Sequence, residues 1–182
     1  MAENTKVKEN NIKKNGFFKE WVLPIISAIV ICLLLNKFVF FNVQVPTGSM
    51  IPTINLENRL MVTRTHNLDN LKRGDIIVFY SDELSERLIK RLIGLPGDKI
   101  EIKNDAVFVN GEQLEEDYVK NKDKEKYNGT FEVPNGKYFF LGDNRPVSND
   151  ARFWKNPYID SSSIEGKAQF IFYPFGSFGA VK

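Results

Sequence analysis

Cysteine and histidine are almost missing from this chain of 182 residues, which has one of each. With Cys32 alone, no intrachain disulfide and no cysteine-built zinc site can form, and its place in an apolar run suits a small hydrophobe. With His66 alone, in the polar stretch Thr65-His66-Asn67, a Ser-His-Asp triad must use that residue or not exist. Excess charge is lacking too: 25 basic against 23 acidic side chains leave a net +2. That small surplus is unevenly spread. Residues 1–41 hold Lys6, Lys8, Lys13, Lys14, Lys19 and Lys37 against Glu3, Glu9 and Glu20, so this segment is +3 and the remainder −1. A nucleic-acid-binding protein needs a basic body, so nucleic acid is not expected as a partner. Repeats and low-complexity tracts are absent.

One long hydrophobic run is present. Trp21 to Leu35 is uncharged and nearly all apolar, and Phe38 to Phe41 prolongs it after Asn36-Lys37. About 20 helical residues cross a hydrocarbon core of about 30 Å, and Lys37 can reach the interface. Pro24 suits a first helical turn. Basic residues precede the run, so the positive-inside rule puts the N-terminus in the cytoplasm and the long C-terminal part outside. A removable signal peptide shares these features. However, no small-x-small cleavage site follows the run, which continues as Phe41-Asn42-Val43-Gln44-Val45. The expected organisation is a cytoplasmic basic tail over 1–20, a retained transmembrane anchor over 21–41 and an extracytoplasmic domain over 42–182 in the cell membrane.

Beyond residue 42 the pattern is short β-branched runs: 60–62, 75–80, 88–92, 100–103, 106–109, 131–133, 138–141 and 169–173. Pro96-Gly97, Asn110-Gly111 and Asn135-Gly136 supply turns between them. No helical period alternates with these strands, so the domain reads as mainly antiparallel β. The charge-dense stretch 115–126 reads as a solvated loop or a short helix.

Four segments concentrate chemistry. In Val45-Pro46-Thr47-Gly48-Ser49-Met50-Ile51-Pro52-Thr53, prolines bracket a Gly-Ser pair. Such a loop can hold a hydroxyl and a backbone N–H in fixed relation, as a serine nucleophile needs, or be a plain turn. In Arg87 to Asp98, strand periodicity puts Lys90 on one face with Leu88 and Leu92. Burial there would lower its pKa, and a fall of roughly 2–4 units would make it a base near neutrality; snorkelling or pairing with an acid is the alternative. Leu141 to Arg152 is rich in hydrogen-bonding groups. Within it, an Asp150–Arg152 or Asp150–Arg91 pair would be a scaffold, and carboxylates are too few for a calcium loop. Gly166 to Pro174 is an aromatic strand suited to the core.

Together, in order and behind an anchor, these segments resemble bacterial type I signal peptidases, in the short Gram-positive form. The family motifs read P-S/T-G-S-M-x-P-T, K-R-x-x-G-x-P-G-D, G-D-N-R-x-x-S-x-D-S-R and G-K-A-x-x-x-x-Y/W-P. The resemblance implies the family's Ser/Lys protease fold, an antiparallel β catalytic domain behind one transmembrane helix. It also implies a membrane-bound serine endopeptidase that removes signal peptides after small residues of Ala-x-Ala type. By position, Ser49 matches the nucleophile and Lys90 the general base. Thr47 joins the Ser49 N–H in the oxyanion hole, and Ser148 orients the lysine. Arg91, Asp143, Asp150 and Arg152 form the supporting ion pairs, while Val43, Val45, Met50, Ile54, Leu88 and Ile89 line substrate pockets. No metal or organic cofactor is implied. The implied partners are the lipid bilayer and secretory preproteins emerging from the translocase. Two positions depart from the family pattern: Thr47 replaces the more familiar serine, and Ala151 stands where serine is usual.

Spacing adds a constraint on substrates. Eight residues from Phe41 to Ser49 span at most about 28 Å, so the serine stays near the membrane exit. A Ser-x-x-Lys motif and a nucleophile elbow are both absent. Self-cleaving repressors of the same fold carry a DNA-binding domain that this chain lacks. A membrane-anchored β-domain that only binds partners would leave Ser49, Lys90 and Ser148 unexplained.

Overall fold

The computed structural model describes residues 18–121 and 126–181. Lys6, Lys8, Lys13 and Lys14 of the basic tail, and positions 122–125 of the charge-dense stretch, lie outside the described residues. The chain divides into two units, residues 1–40 and 41–182.

In the first unit a π-turn, Phe18–Val22, leads into helix α1, Leu23–Phe38. Pro24 stands in its first turn, directly after the π-turn. Apolar side chains surround the helix and none is buried, the pattern of a helix solvated by hydrocarbon. The helical stretch Phe18–Phe38 has 21 residues and a mean hydropathy of 2.1, long and apolar enough to cross a membrane. The apolar run divides at its end, because Phe38 closes the helix whereas Phe40 and Phe41 already begin strand β1, Phe40–Gln44.

The second unit is mainly antiparallel β. It uses β2 (Arg59–Arg64), β3 (Ile76–Ser81), β4 (Glu86–Gly94), β5 (Lys99–Lys103), β6 (Ala106–Val109), β7 (Glu112–Gln113), β8 (Gly129–Glu132), β9 (Lys137–Leu141), β10 (Tyr158–Asp160), β11 (Ile164–Tyr173) and β12 (Gly179–Ala180). One sheet runs β1-β2-β11-β3-β4-β9-β10, with β12 also on β11; a smaller sheet runs β7-β6-β5-β8. Asn110 and Gly111 both have positive φ (52° and 90°), the backbone of a two-residue turn joining β6 to β7. Asn104 and Asp105 make the same kind of turn between β5 and β6.

Period-two burial on β3 shows how the core is organised. Ile77 and Phe79 enter one apolar cluster with Leu92, Phe140 and Ile100, while Ile76 and Val78 enter a second with Val45, Met50, Ile54 and Ile89. Phe79 stacks on Phe140 at 4.5 Å between centroids. The aromatic strand expected in the core is only half buried: Ala168 and Ile171 point inward, while Phe170 and Tyr173 on β11 are exposed. Register shifts along the β2–β11 pairing accompany that change of face.

Candidate active site

The segment around Ser49 folds as consecutive tight turns, with Ile51 N–H donating to Gly48 O (3.2 Å) and Ile54 N–H to Met50 O (2.9 Å). Met50 and Ile54 are the apolar pegs, 1% and 0% exposed, that sink this loop into the second core cluster. Ser49 is itself buried, and its Oγ lies 3.3 Å from Thr47 Oγ1. Among the described residues the Ser49 N–H has no protein acceptor, which leaves a donor beside the hydroxyl.

Lys90 sits on β4 opposite Ile77 and is 3% exposed. Among the described residues its side-chain amine has neither a hydrogen bond nor an ion pair. Burial lowers its pKa from the usual 10.5 to about 8, against a weaker upward pull from the carboxylates of Asp150, Glu86 and Asp143. The periodic placement of a lysine among leucines therefore buries the amine and weakens its hold on the proton, a point that sequence reasoning left open.

Ser49, Thr47 and Lys90 line one cavity of about 330 Å³ together with Val43, Val45, Met50, Leu88 and Ile89. Ile54, also expected to line a pocket, lies fully buried beneath the loop and is not among the lining residues. The backbone beside the cavity is open: β9 pairs with β4 only from Arg91 onward, which leaves Glu86 to Lys90 unpaired on that side among the described residues. Ser148 is buried, and among the described residues its Oγ has no hydrogen-bond partner. Gly142 explains its packing, since a Cβ there would stand 2.2 Å from Ser148 Oγ and 2.6 Å from Ser49 O. Only glycine lets these two segments approach so closely.

Two buried bidentate ion pairs support the loops. Arg91 donates to Asp143 from Nε (2.8 Å) and Nη2 (2.6 Å), and Arg152 donates to Asp150 from Nε (2.8 Å) and Nη2 (3.1 Å). Asp150 also accepts the Gly142 N–H at 3.0 Å, and Thr53 Oγ1 donates to Asp143 at 2.5 Å, which ties the serine loop to the scaffold. Ala151 is buried between the partners of the second pair.

Asn144 went unnoticed in the sequence as a contact residue. Its N–H donates to Ser49 O (3.0 Å) and its side-chain amide to Gly48 O (2.9 Å). Glu116 and Tyr118 were likewise concealed in the charge-dense stretch. Glu116 pairs with buried Arg145, and the Tyr118 ring covers the Arg91 guanidinium at 3.8 Å. Burial, with the Glu116 carboxylate, pushes the Tyr118 pKa up. His66 is exposed and lines a separate hollow with Thr63, Arg64 and Lys167.

Comparison with known proteins shows which family the chain is similar to. The family described as "Signal peptidase, peptidase S26" matches residues 18–173. Signal peptidase I of Bacillus licheniformis is 41% identical over 94% of this chain and 96% of its own length. Signal peptidase IB of Staphylococcus aureus is 36% identical over 87% of this chain and 91% of its own. A solved signal peptidase I from Enterococcus faecalis is 37% identical, covers 56% of this chain and 98% of that one, and has a TM-score of 0.49.

Proposed function

Because the chain belongs to the signal peptidase family, peptidase S26, we propose that it is a membrane-bound endopeptidase that removes signal peptides from secretory preproteins with a Ser49/Lys90 dyad. The observation that carries this reading is a buried, unpaired Lys90, with its pKa lowered to about 8, in the same cavity as Ser49. An amine with that pKa is partly neutral at physiological pH and can accept a proton.

In the first step Lys90 Nζ takes the Ser49 Oγ proton as Oγ attacks the scissile carbonyl. The carbonyl π electrons move to oxygen, and the resulting oxyanion accepts hydrogen bonds from the Ser49 N–H and Thr47 Oγ1–H. Loss of one such donor typically costs about 3–4 kcal/mol of transition-state stabilisation. Collapse breaks the C–N bond, and the Lys90 ammonium protonates the departing amine. Neutral Lys90 then deprotonates a water that attacks the ester, and Ser49 leaves with the proton returned. Ser148 Oγ makes no hydrogen bond among the described residues, and it is the hydroxyl left available to orient the amine.

The substrate enters as an added strand against the unpaired Glu86–Lys90 edge, where backbone hydrogen bonds give affinity and alternate side chains meet the cavity wall. Val43, Val45, Met50, Leu88 and Ile89 make that wall apolar, which favours apolar side chains such as the alanines of the Ala-x-Ala type. The apolar helix is the anchor, and its basic flank places the N-terminus in the cytoplasm and residues 42–182 outside. Of the aromatics near the C-terminal end, Trp154 is buried, while Phe153, Phe175 and Phe178 are 57%, 84% and 67% exposed. The latter three are therefore the ones available to lipid.

The test is processing of a secretory preprotein by membranes that carry the parent chain, Ser49→Ala or Lys90→Ala. Both variants are expected to leave the preprotein uncut while remaining membrane-bound and folded. Processing equal to the parent by either one would overturn the dyad.

A further inference from the structure

After β7 the chain leaves the small sheet, crosses to the buried ion pairs and fastens there at three successive points. Glu116 holds Arg145, Tyr118 covers Arg91, and Asn121 Nδ2 donates to Asn144 Oδ1 at 3.0 Å. The third contact has the greatest chemical reach. Asn144 is buried, and the two ends of its side-chain amide do opposite things: Oδ1 accepts from Asn121, and Nδ2 donates to Gly48 O. An amide has one donor end and one acceptor end. Gly48 O can only accept, so it takes the NH2 end and leaves Oδ1 to the Asn121 donor; the flipped amide would set oxygen against oxygen at Gly48 and NH2 against NH2 at Asn121. Gly48 C=O and Ser49 N–H share one planar trans peptide and point in opposite directions. Gly48 O accepts from Asn144 Nδ2 at 2.9 Å as well as from the Ile51 N–H at 3.2 Å, and what holds this carbonyl also sets the direction of the N–H at the other end of the peptide.

The geometry points to Asn121 as a positioning residue: through Asn144 it sets the plane of the Gly48–Ser49 peptide, and so aims the Ser49 N–H at the oxyanion. This inference rests on the reading of Ser49 as nucleophile and adds a residue outside the four motif segments. An N–H aimed at the oxyanion acts more on the transition state than on the bound substrate, so its loss lowers kcat rather than raising KM.

The test uses the full chain in detergent micelles with a peptide that spans a signal-peptide cleavage site, measuring kcat and KM separately. Asn121→Ala is expected to lower kcat about fivefold, the worth of one hydrogen bond, with KM within about twofold of the parent. Asn121→Asp puts an acceptor against Oδ1 and favours the flipped amide, so its kcat should fall further, by about twentyfold. In an Asn144→Ala background both substitutions should change kcat by less than about twofold, because the route to Gly48 is already cut. Equal losses in the two backgrounds, or a change confined to KM, would overturn the inference. Should Asn144→Ala prove unfolded by its thermal melt, the parent-background order decides the matter: Asn121→Asp as active as Asn121→Ala contradicts the amide-orienting role. Ser49→Ala is assayed alongside; residual cleavage by that variant overturns the nucleophile assignment itself, whatever the Asn121 variants do.

Discussion

Lys90 and Arg91 are neighbours on β4, each 3% exposed, yet the protein treats their charges in opposite ways. On one face Arg91 is gripped by both oxygens of Asp143, bonded to Gly74 O and covered by the Tyr118 ring. On the other, Lys90 faces the cavity with no counter-ion of its own among the described residues. The carboxylates that would neutralise a buried cation are committed to guanidinium groups, Asp143 to Arg91 and Asp150 to Arg152. Arginine stays charged under any of these conditions, and its planar fork matches a carboxylate; an ammonium gives up its proton when its solvation is removed. One region therefore stores structure in fixed charge, and the other makes a titratable amine.

The largest expected effect lies on the arginine side. Arg91→Met leaves Asp143 buried without its counter-ion and is expected to cost about 3–5 kcal/mol, seen as a large fall in melting temperature and lost activity. The neighbouring replacement should have the opposite sign. Lys90→Met removes an ammonium that folding must desolvate, and at pH 7 it should raise stability by about 1–3 kcal/mol while abolishing cleavage. Because the folded pKa of about 8 lies below the usual 10.5, the unfolded chain binds more protons between those values. The parent therefore gains stability through that window, up to about 1.4 kcal/mol per pH unit, and the gap to Lys90→Met should close by pH 10. Thermal melts of both proteins at pH 7 and pH 10 check this.

Much of this site was legible in the sequence because its chemistry is local. Gly-Ser between prolines, a lysine at strand period among leucines, and alternating Ser148, Asp150 and Arg152 all show within a few residues. Most strands were visible for the same reason. The unread part depends on distance along the chain. Arg91 finds Asp143 52 residues away, and no local pattern distinguishes that partner from Asp150. Glu116, Tyr118 and Asn121 looked like solvated polar surface because the sequence does not show what they cross. Phe40 and Phe41 look like more anchor, since a hydrophobic edge strand and a helix end share the same residues.

A smaller effect sharpens the lysine side. Glu86 lines the cavity and its carboxylate favours the charged form of Lys90. Glu86→Gln should therefore move the alkaline activation of the enzyme downward by a few tenths of a pH unit, less at high salt, since Glu86 is exposed and screened.

The most direct test of the account is the pH dependence of kcat/KM for the full chain, which reports the groups that must lose a proton in the free enzyme. A buried, unpaired Lys90 acting as base predicts a one-proton rise that levels off above a midpoint of about 8. A midpoint near the ordinary histidine value of about 6.5, or near the unshifted lysine value of about 10.4, would contradict it.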